Sequence, residues 1–182
     1  MSTVYLAGFD VFAPDAVERG NHLKALCARA GLEGLYPLDN QLPPGIAGPI
    51  AARWIYEQNV ALIHRSDAVL ANLNPFRGQE PDSGTVFEVG MATALGKPVW
   101  AWFKAQGSLR EQIPCDPLGR DAQGFTVEDF GLPRNLMLAC AWAGHSASAE
   151  AGARALAAYL KDRGADQGRG LPPVTPNTSP VI

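Results

Sequence analysis

Apolar residues follow two rhythms along this chain, and the two alternate. Thr3 to Gly8 is a short apolar run ending in Gly, which suits a strand buried on both faces. Asp15 to Ala30 instead places Ala16, Leu23, Leu26, Cys27 and Ala30 at helical spacing, with Gly31 as the stop. Gly34 to Leu38 predicts a second strand, which runs into Asp39-Asn40-Gln41 and a loop rich in Pro and Gly. Pro49 lies near the start of a helix carrying Ile50, Trp54, Ile55, Val60, Leu62 and Ile63. Asp67 to Asn72 predicts a third strand, Gly84 to Leu95 a helix closed by Gly96, and Pro98 to Phe103 a fourth strand.

Such alternation with short links implies parallel pairing through right-handed crossovers, hence an open α/β sheet with helices on both faces. Lys104 to Arg134 loses the pattern and holds four Gly and three Pro, which predicts a long functional loop or flap. Ser146 is placed to cap a last, alanine-rich helix over Ala147 to Arg163. From Gly164 onward there are four Pro, three Gly and no periodicity. The expectation is one domain over residues 1–163 and a disordered tail over 164–182. In open α/β sheets ligands sit beyond the carboxyl ends of the strands, where strand order reverses. Gly8-Phe9-Asp10, Asp39-Asn40 and the segment from Asn72 to Ser83 should therefore converge.

Composition narrows the chemistry. Fifteen Lys and Arg against 18 Asp and Glu leave a net charge of −3, which excludes binding a polyanion through bulk charge. Cys27, Cys115 and Cys140 are odd in number and widely spaced, so reduced thiols and a cytoplasmic protein are expected. No basic leader precedes the first apolar run, and no stretch suits a membrane span, which adds the expectation of no membrane partner. His22, His64 and His145 lack ligand spacing, and neither GxGxxG nor a Walker motif is present. No metal and no cofactor are expected.

The informative stretch is Asp82-Ser-Gly-Thr-Val-Phe-Glu88-Val-Gly90. Glu88 is expected in the first turn of a helix, where unpaired N–H groups favour a carboxylate while its apolar neighbours desolvate it. A poorly hydrated carboxylate is a candidate nucleophile for an electrophilic sugar carbon. Thr85 and Glu88 also fit a capping box, a purely structural role that directs the side chain to the same helix mouth. Asp82 reads either as a turn or cap residue or as a second carboxyl group that moves a proton. Arg77, in Pro75-Phe-Arg-Gly78, reads as a brace for the loop or as a solvated charge. Trp54, Trp100 and Trp102 read as core or interface packing.

With those residues in view, the sequence resembles the nucleoside 2-deoxyribosyltransferase family from Val4 to about Ala143. The resemblance is carried by Tyr5-Leu-Ala-Gly8 with Val11-Phe12, Gly34-Leu-Tyr-Pro-Leu-Asp39-Asn40 and Ile55-Tyr-Glu-Gln-Asn59. It continues through Ser66 to Asn72, Pro75 to Gly78, Asp82 to Gly90, and Asp129-Phe-Gly-Leu-Pro-Arg-Asn135-Leu-Met137. It implies a parallel sheet of flavodoxin-like (Rossmann-like) type and a salvage enzyme acting on deoxynucleosides and free nucleobases, with no nucleic acid as partner. Glu88 is similar to the nucleophile that holds deoxyribose as a covalent ester. Asp82 is similar to the carboxylate beside the base, and Tyr5 to the tyrosine that orients the nucleophile. Gly8 and Phe12 fall in the substrate-binding first loop. Asn59 stands where some members carry a base-contacting Asp, which leaves it base positioning without ionisation. Asn135 and Met137 resemble the element that reaches into a neighbouring subunit's site, which implies a homo-oligomer with shared sites.

The leading expectation is therefore retaining transfer of 2-deoxyribose between nucleobases, with purine or pyrimidine preference left open. The second is a 2-deoxynucleoside 5′-monophosphate N-glycosidase, which would need a phosphate cradle where this chain has Asp10. A non-catalytic nucleotide-binding sensor is the third.

Overall fold

The computed structural model describes residues 1–104 and 107–167. Five strands, β1 (Ser2–Ala7), β2 (Leu32–Leu35), β3 (Ala68–Asn72), β4 (Val99–Trp102) and β5 (Gly144–Ser146), form one sheet in the order β2-β1-β3-β4-β5. Every pairing is parallel. This is the flavodoxin-like order, with its switch point between β1 and β3.

Side-chain parity decides what each face buries. Val4, Leu6 and Leu70 point to the side covered by α1 (Ala16–Arg29) and α6 (Ala149–Gln167), where Leu23, Leu26, Cys27, Ala153 and Leu156 meet them. Tyr5, Ala7, Val69, Ala71, Val99 and Ala101 point to the other side, against Leu62 and Ile63 of α2 (Gly48–Arg65) and Val89 and Ala92 of α3 (Ser83–Ala94). Both faces are apolar, which is why β1 and β3 read as continuous runs rather than alternations. Tyr5 thereby faces α3.

Several expected boundaries move. The second strand starts two residues early and stops at Leu35, opposite Tyr5, and Pro37–Asp39 forms a 3-10 turn instead. Pro37 has no N–H for a ladder, so the strand cannot run on to Leu38. The fifth strand has no apolar run to announce it. It lies at the sheet edge, and Gly144 is required there because a Cβ would stand 2.5 Å from the Trp100 ring. Ser146 belongs to this strand and does not cap the last helix. Ser148 does, accepting Ala151 N–H at 3.3 Å with Oγ and Gly152 N–H at 2.9 Å with its carbonyl. The last helix passes through Gly164 to Gln167. The remainder of the expected tail, 168–182, lies outside the described residues. Lys104 to Arg134 contains α4 (Leu109–Gln112) and an antiparallel bridge between Arg120 and Thr126, and α5 (Leu136–Ala139) follows it. Among the described residues no helix is long and apolar enough to cross a membrane.

At the switch point a buried polar tie closes the strand ends. Asn72, the last residue of β3, donates through Nδ2 to Asp10 Oδ2 at 2.7 Å, and both side chains are almost fully buried. Arg19 stands 3.4 Å from the other Asp10 oxygen. Gly8 passes over this pair with an extended backbone, and a Cβ there would lie 2.8 Å from Asn72 Cβ and 2.9 Å from Asp10 Oδ2. The requirement for Gly is space, not dihedral freedom. Gly8→Ala is therefore expected to destabilise the fold by about 1–3 kcal/mol through overpacking. Urea unfolding of the variant checks this; unchanged stability would show that the Asp10–Asn72 tie is not tightly packed.

Candidate active site

The site forms where α3 starts beside the end of β1. Asp82 is the N-cap of α3, and its Oδ2 accepts Thr85 N–H at 2.9 Å and Thr85 Oγ1–H at 3.0 Å. Thr85 is thus inside the helix, and the expected Thr85–Glu88 capping box is absent. Asp82, three residues upstream, caps the N–H of Thr85 rather than that of Glu88, so the helix starts about a turn earlier. Glu88 consequently sits in the second turn, freed from capping.

Its carboxylate instead accepts a hydrogen bond from Tyr5 Oη at 2.5 Å. Burial pushes the Glu88 pKa up to about 7; the Tyr5 hydroxyl pulls it down and the nearby Asp82 charge adds to the rise. In the second turn Glu88 lies beyond the strongest reach of the helix-terminus field, and desolvation dominates. Burial, with the Glu88 charge and the hydrogen bond to it, raises the Tyr5 pKa well above the phenol range, so Tyr5 remains a proton donor. A carboxylate near neutrality, held by a hydroxyl that stays protonated, has the character of an aimed nucleophile or a general base.

Glu88 and Asp82 open into one cavity of about 440 Å³. Gly8, Val11 and Phe12 of the first loop line it, as do Leu38 and Asn40 after β2, and Trp54, Ile55, Gln58 and Asn59 on α2. Asp82 Oδ1 receives no hydrogen bond among the described residues. Asn40 Nδ2 and Asn59 Oδ1 are buried without a partner. An unpaired buried donor and acceptor are costly, and a hydrogen-bonding ligand would satisfy both. Among the described residues neither Lys, Arg nor His lines the cavity, and the charged groups there are the carboxylates of Asp82 and Glu88.

Tyr5, Gly8, Phe12, Asn59, Asp82 and Glu88 are therefore brought together. Asn135 and Met137 are not. They line a second cavity of about 480 Å³ with Val86, Val89 and Thr93 of α3. Asn135 caps α5, accepting Met137 N–H at 3.0 Å and donating to Glu128 Oε1 at 2.6 Å, while Met137 is 73% exposed. Asp10 is also outside the site. Its carboxylate is buried under Asn72 and faces a groove on the α1 side, so it does not form the phosphate-repelling edge expected of it. Asp39 accepts from Lys24 at 2.5 Å and from Tyr36 N–H at 3.0 Å, a structural use. Asp67 accepts Thr3 N–H at 2.7 Å at the opposite end of the sheet.

Sequence reasoning passed over other residues. Trp54, read as packing, is a cavity wall, and Gln58 stands beside it, while Asn40 lines the cavity from the strand-end loop where the sequence placed it. The helical spacing of Trp54 and Gln58 carried no signal that separated them from packing or surface residues. Arg134 is fully buried. It donates through Nε to Leu73 O at 2.9 Å and through Nη1 to Gln112 Oε1 at 2.7 Å, with its guanidinium 4.4 Å from the Phe103 ring centre. Together with Glu128 it fixes the segment that presents Asn135.

Comparison with known proteins identifies the family and the fold. The family model described as nucleoside 2-deoxyribosyltransferase matches residues 4–137. A 2-desoxiribosyltransferase from Leishmania mexicana is 35% identical, superposes with a TM-score of 0.70, and is matched over 87% of this chain and 99% of its own. An uncharacterized protein of Schizosaccharomyces pombe is 34% identical over 159 residues, with 74% of each chain covered. The 2-deoxyribosyltransferase of Bacillus psychrosaccharolyticus, 18% identical with a TM-score of 0.55 over 82% of this chain and 89% of that one, shares the fold. The match across most of the chain, strand ends and helix α3 included, makes this protein a member of the nucleoside 2-deoxyribosyltransferase family.

Proposed function

We propose that the protein transfers 2-deoxyribose between nucleobases through a covalent ester on Glu88. The observation that carries this reading is one desolvated carboxylate, held by Tyr5, in a cavity shared with a second carboxylate. Glu88 attacks C1′ of the deoxynucleoside as the C1′–N bond breaks, and Asp82 gives its proton to the departing base. A second base then attacks C1′, loses its proton towards Asp82 and releases Glu88. Two inversions retain the configuration. The oxocarbenium-like transition state favours a sugar without the electron-withdrawing 2-hydroxyl. Asn40 and Asn59 contact the base edge with their unpaired donor and acceptor, and the apolar walls Phe12, Leu38, Trp54 and Ile55 keep water from the ester.

Incubation with deoxyinosine and free adenine tests the reaction: deoxyadenosine is expected, and release of hypoxanthine alone would make the enzyme a hydrolase. The nucleophile is tested through protonation. Attack needs the ionised carboxylate, so kcat/KM is expected to fall about tenfold per pH unit below about pH 7. Glu88→Gln should abolish exchange. It should also stabilise the fold, and the sign follows from linkage. The folded-state pKa is raised above the ordinary value of 4.5, so this group costs stability as pH rises from about 4.5 to about 7. At pH 8 the variant is expected to be more stable by on the order of 2 kcal/mol, with the gap closing towards pH 4.5. A Glu88→Gln protein that still exchanges bases would remove Glu88 from the chemistry.

The acceptor and substrate are tested by charge. With Asp82 and Glu88 in the cavity and no cation on its walls among the described residues, a phosphate adds like charge without an arginine clamp. Deoxyguanosine is expected to outperform its 5′-monophosphate clearly; the reverse preference, with water as acceptor, would favour the glycosidase.

The site is also proposed to be completed by a second subunit. Exposed Met137, with half-exposed Phe87 on α3 and Tyr56 on α2, gives an apolar surface of the kind that subunits bury. An Asn135→Ala chain and a Glu88→Gln chain, each inactive alone, should regain exchange when co-assembled. Sedimentation showing a fully active monomer would contradict shared sites.

A further inference from the structure

Among the described residues Arg77 alone has a positive φ without being glycine, at 55°. That left-handed conformation strains any residue with a Cβ and is open to Gly. Strain of this kind persists where something else requires the residue, and it gathers at functional sites. The loop around it is well anchored. Asn74 Nδ2 donates to Asn72 Oδ1 at 2.7 Å, and Phe76 N–H donates to Glu80 O at 2.9 Å.

The Arg77 side chain ends on aromatic rings. Its guanidinium carbon lies 4.6 Å from the centre of the Phe76 ring and 5.6 Å from that of Phe12. Phe76 stacks on Phe9 at 4.9 Å and on Phe12 at 5.5 Å, with rings within 16° and 15° of parallel. Phe12 is a wall of the Glu88 cavity, yet it is 58% exposed, so the core does not hold its ring. Arg77 forms no salt bridge among the described residues. A planar guanidinium lies flat on rings while its edge remains hydrated, which an ammonium does less well.

We propose that Arg77 is a positioning residue for substrate binding: stacked on Phe76 and Phe12, it holds the Phe12 ring as the wall against which a deoxynucleoside packs. The strained backbone is the condition for aiming the side chain back across the two rings. This inference rests on the proposed function and extends it to a residue that does not line the cavity.

Arg77→Gly separates the two contributions, since it removes the stack and relaxes the backbone together. A residue that serves stability alone should lower Tm when removed. A residue strained for binding should leave Tm unchanged or raise it while affinity falls. For Arg77→Gly the expected results are an unchanged or higher Tm and a deoxynucleoside Kd, by calorimetry, raised about two- to fivefold, the size of one exposed cation–π contact. KM should rise in step with little change in kcat, because Tyr5, Asp82 and Glu88 are untouched. Arg77→Lys should fall between wild type and the Gly variant. Unchanged affinity in Arg77→Gly, or a lower Tm with unchanged affinity, would overturn the proposal. So would a loss confined to 5′-monophosphates, which would make the guanidinium an anion contact. A wild-type chain that binds no deoxynucleoside would overturn the proposed function and this inference with it, whereas equal binding by wild type and variant overturns the stack alone.

Discussion

A carboxylate withdrawn from water has either to take up a proton or to find a donor, and Glu88 is balanced between the two. Burial drives it towards the neutral acid, and the Tyr5 hydroxyl draws it back towards the anion, leaving the pKa at about 7. Tyr5 can do this only because β1 directs odd-numbered side chains to the α3 face, and because burial keeps the phenol protonated. Moving the strand by one residue would turn Tyr5 to α1 and leave Glu88 without its donor. The chemistry open to the cavity thus depends on strand register as much as on the identity of the acid.

The same dependence appears at the switch point. Asp10 and Asn72 satisfy each other beneath Gly8, and Asn72 Oδ1 also receives Asn74 Nδ2–H, which sets the direction of the loop leading to Arg77. A buried polar pair of this sort contributes little net stability, yet breaking it leaves an unpaired charge inside the protein. It therefore defines one arrangement of the strand ends, and both the first loop and the Asn74–Pro81 loop are built from it. The cavity wall at Phe12 and the stack behind it follow from that arrangement.

The flap shows how a weak sequence pattern still yields a defined conformation. Between Leu109 and Asn135 apolar burial is sparse, and polar anchors do the holding. Arg134 bridges Leu73 O and Gln112 over the Phe103 ring, and Glu128 receives both Asn135 Nδ2–H and Leu136 N–H. These contacts place Asn135 and Met137 on the far side of α3 from Glu88's cavity, on a surface with exposed apolar residues.

Much of the fold was legible because burial on two faces leaves a local mark. The apolar runs at Thr3–Gly8, Asp67–Asn72 and Pro98–Phe103, and the helical spacing between them, determined the parallel α/β class and directed attention to Gly8, Asn40 and the Asp82–Glu88 stretch. The edge strand Gly144–Ser146 left no such mark, since three residues of which none is buried need no apolar run. Local pattern also left the cap of α3 open, because Thr85 and Asp82 both suit the role and only the helix start chooses between them. Trp54 and Arg134 reveal nothing at the level of spacing: whether a tryptophan lines a cavity, or an arginine is buried, is set by elements distant in the chain. The sequence by itself determined which groups can ionise, hydrogen-bond and pack. Tertiary structure alone decided how far each is removed from water and which partner it meets, because desolvation and long-range pairing are properties of the assembled strand ends rather than of neighbouring residues.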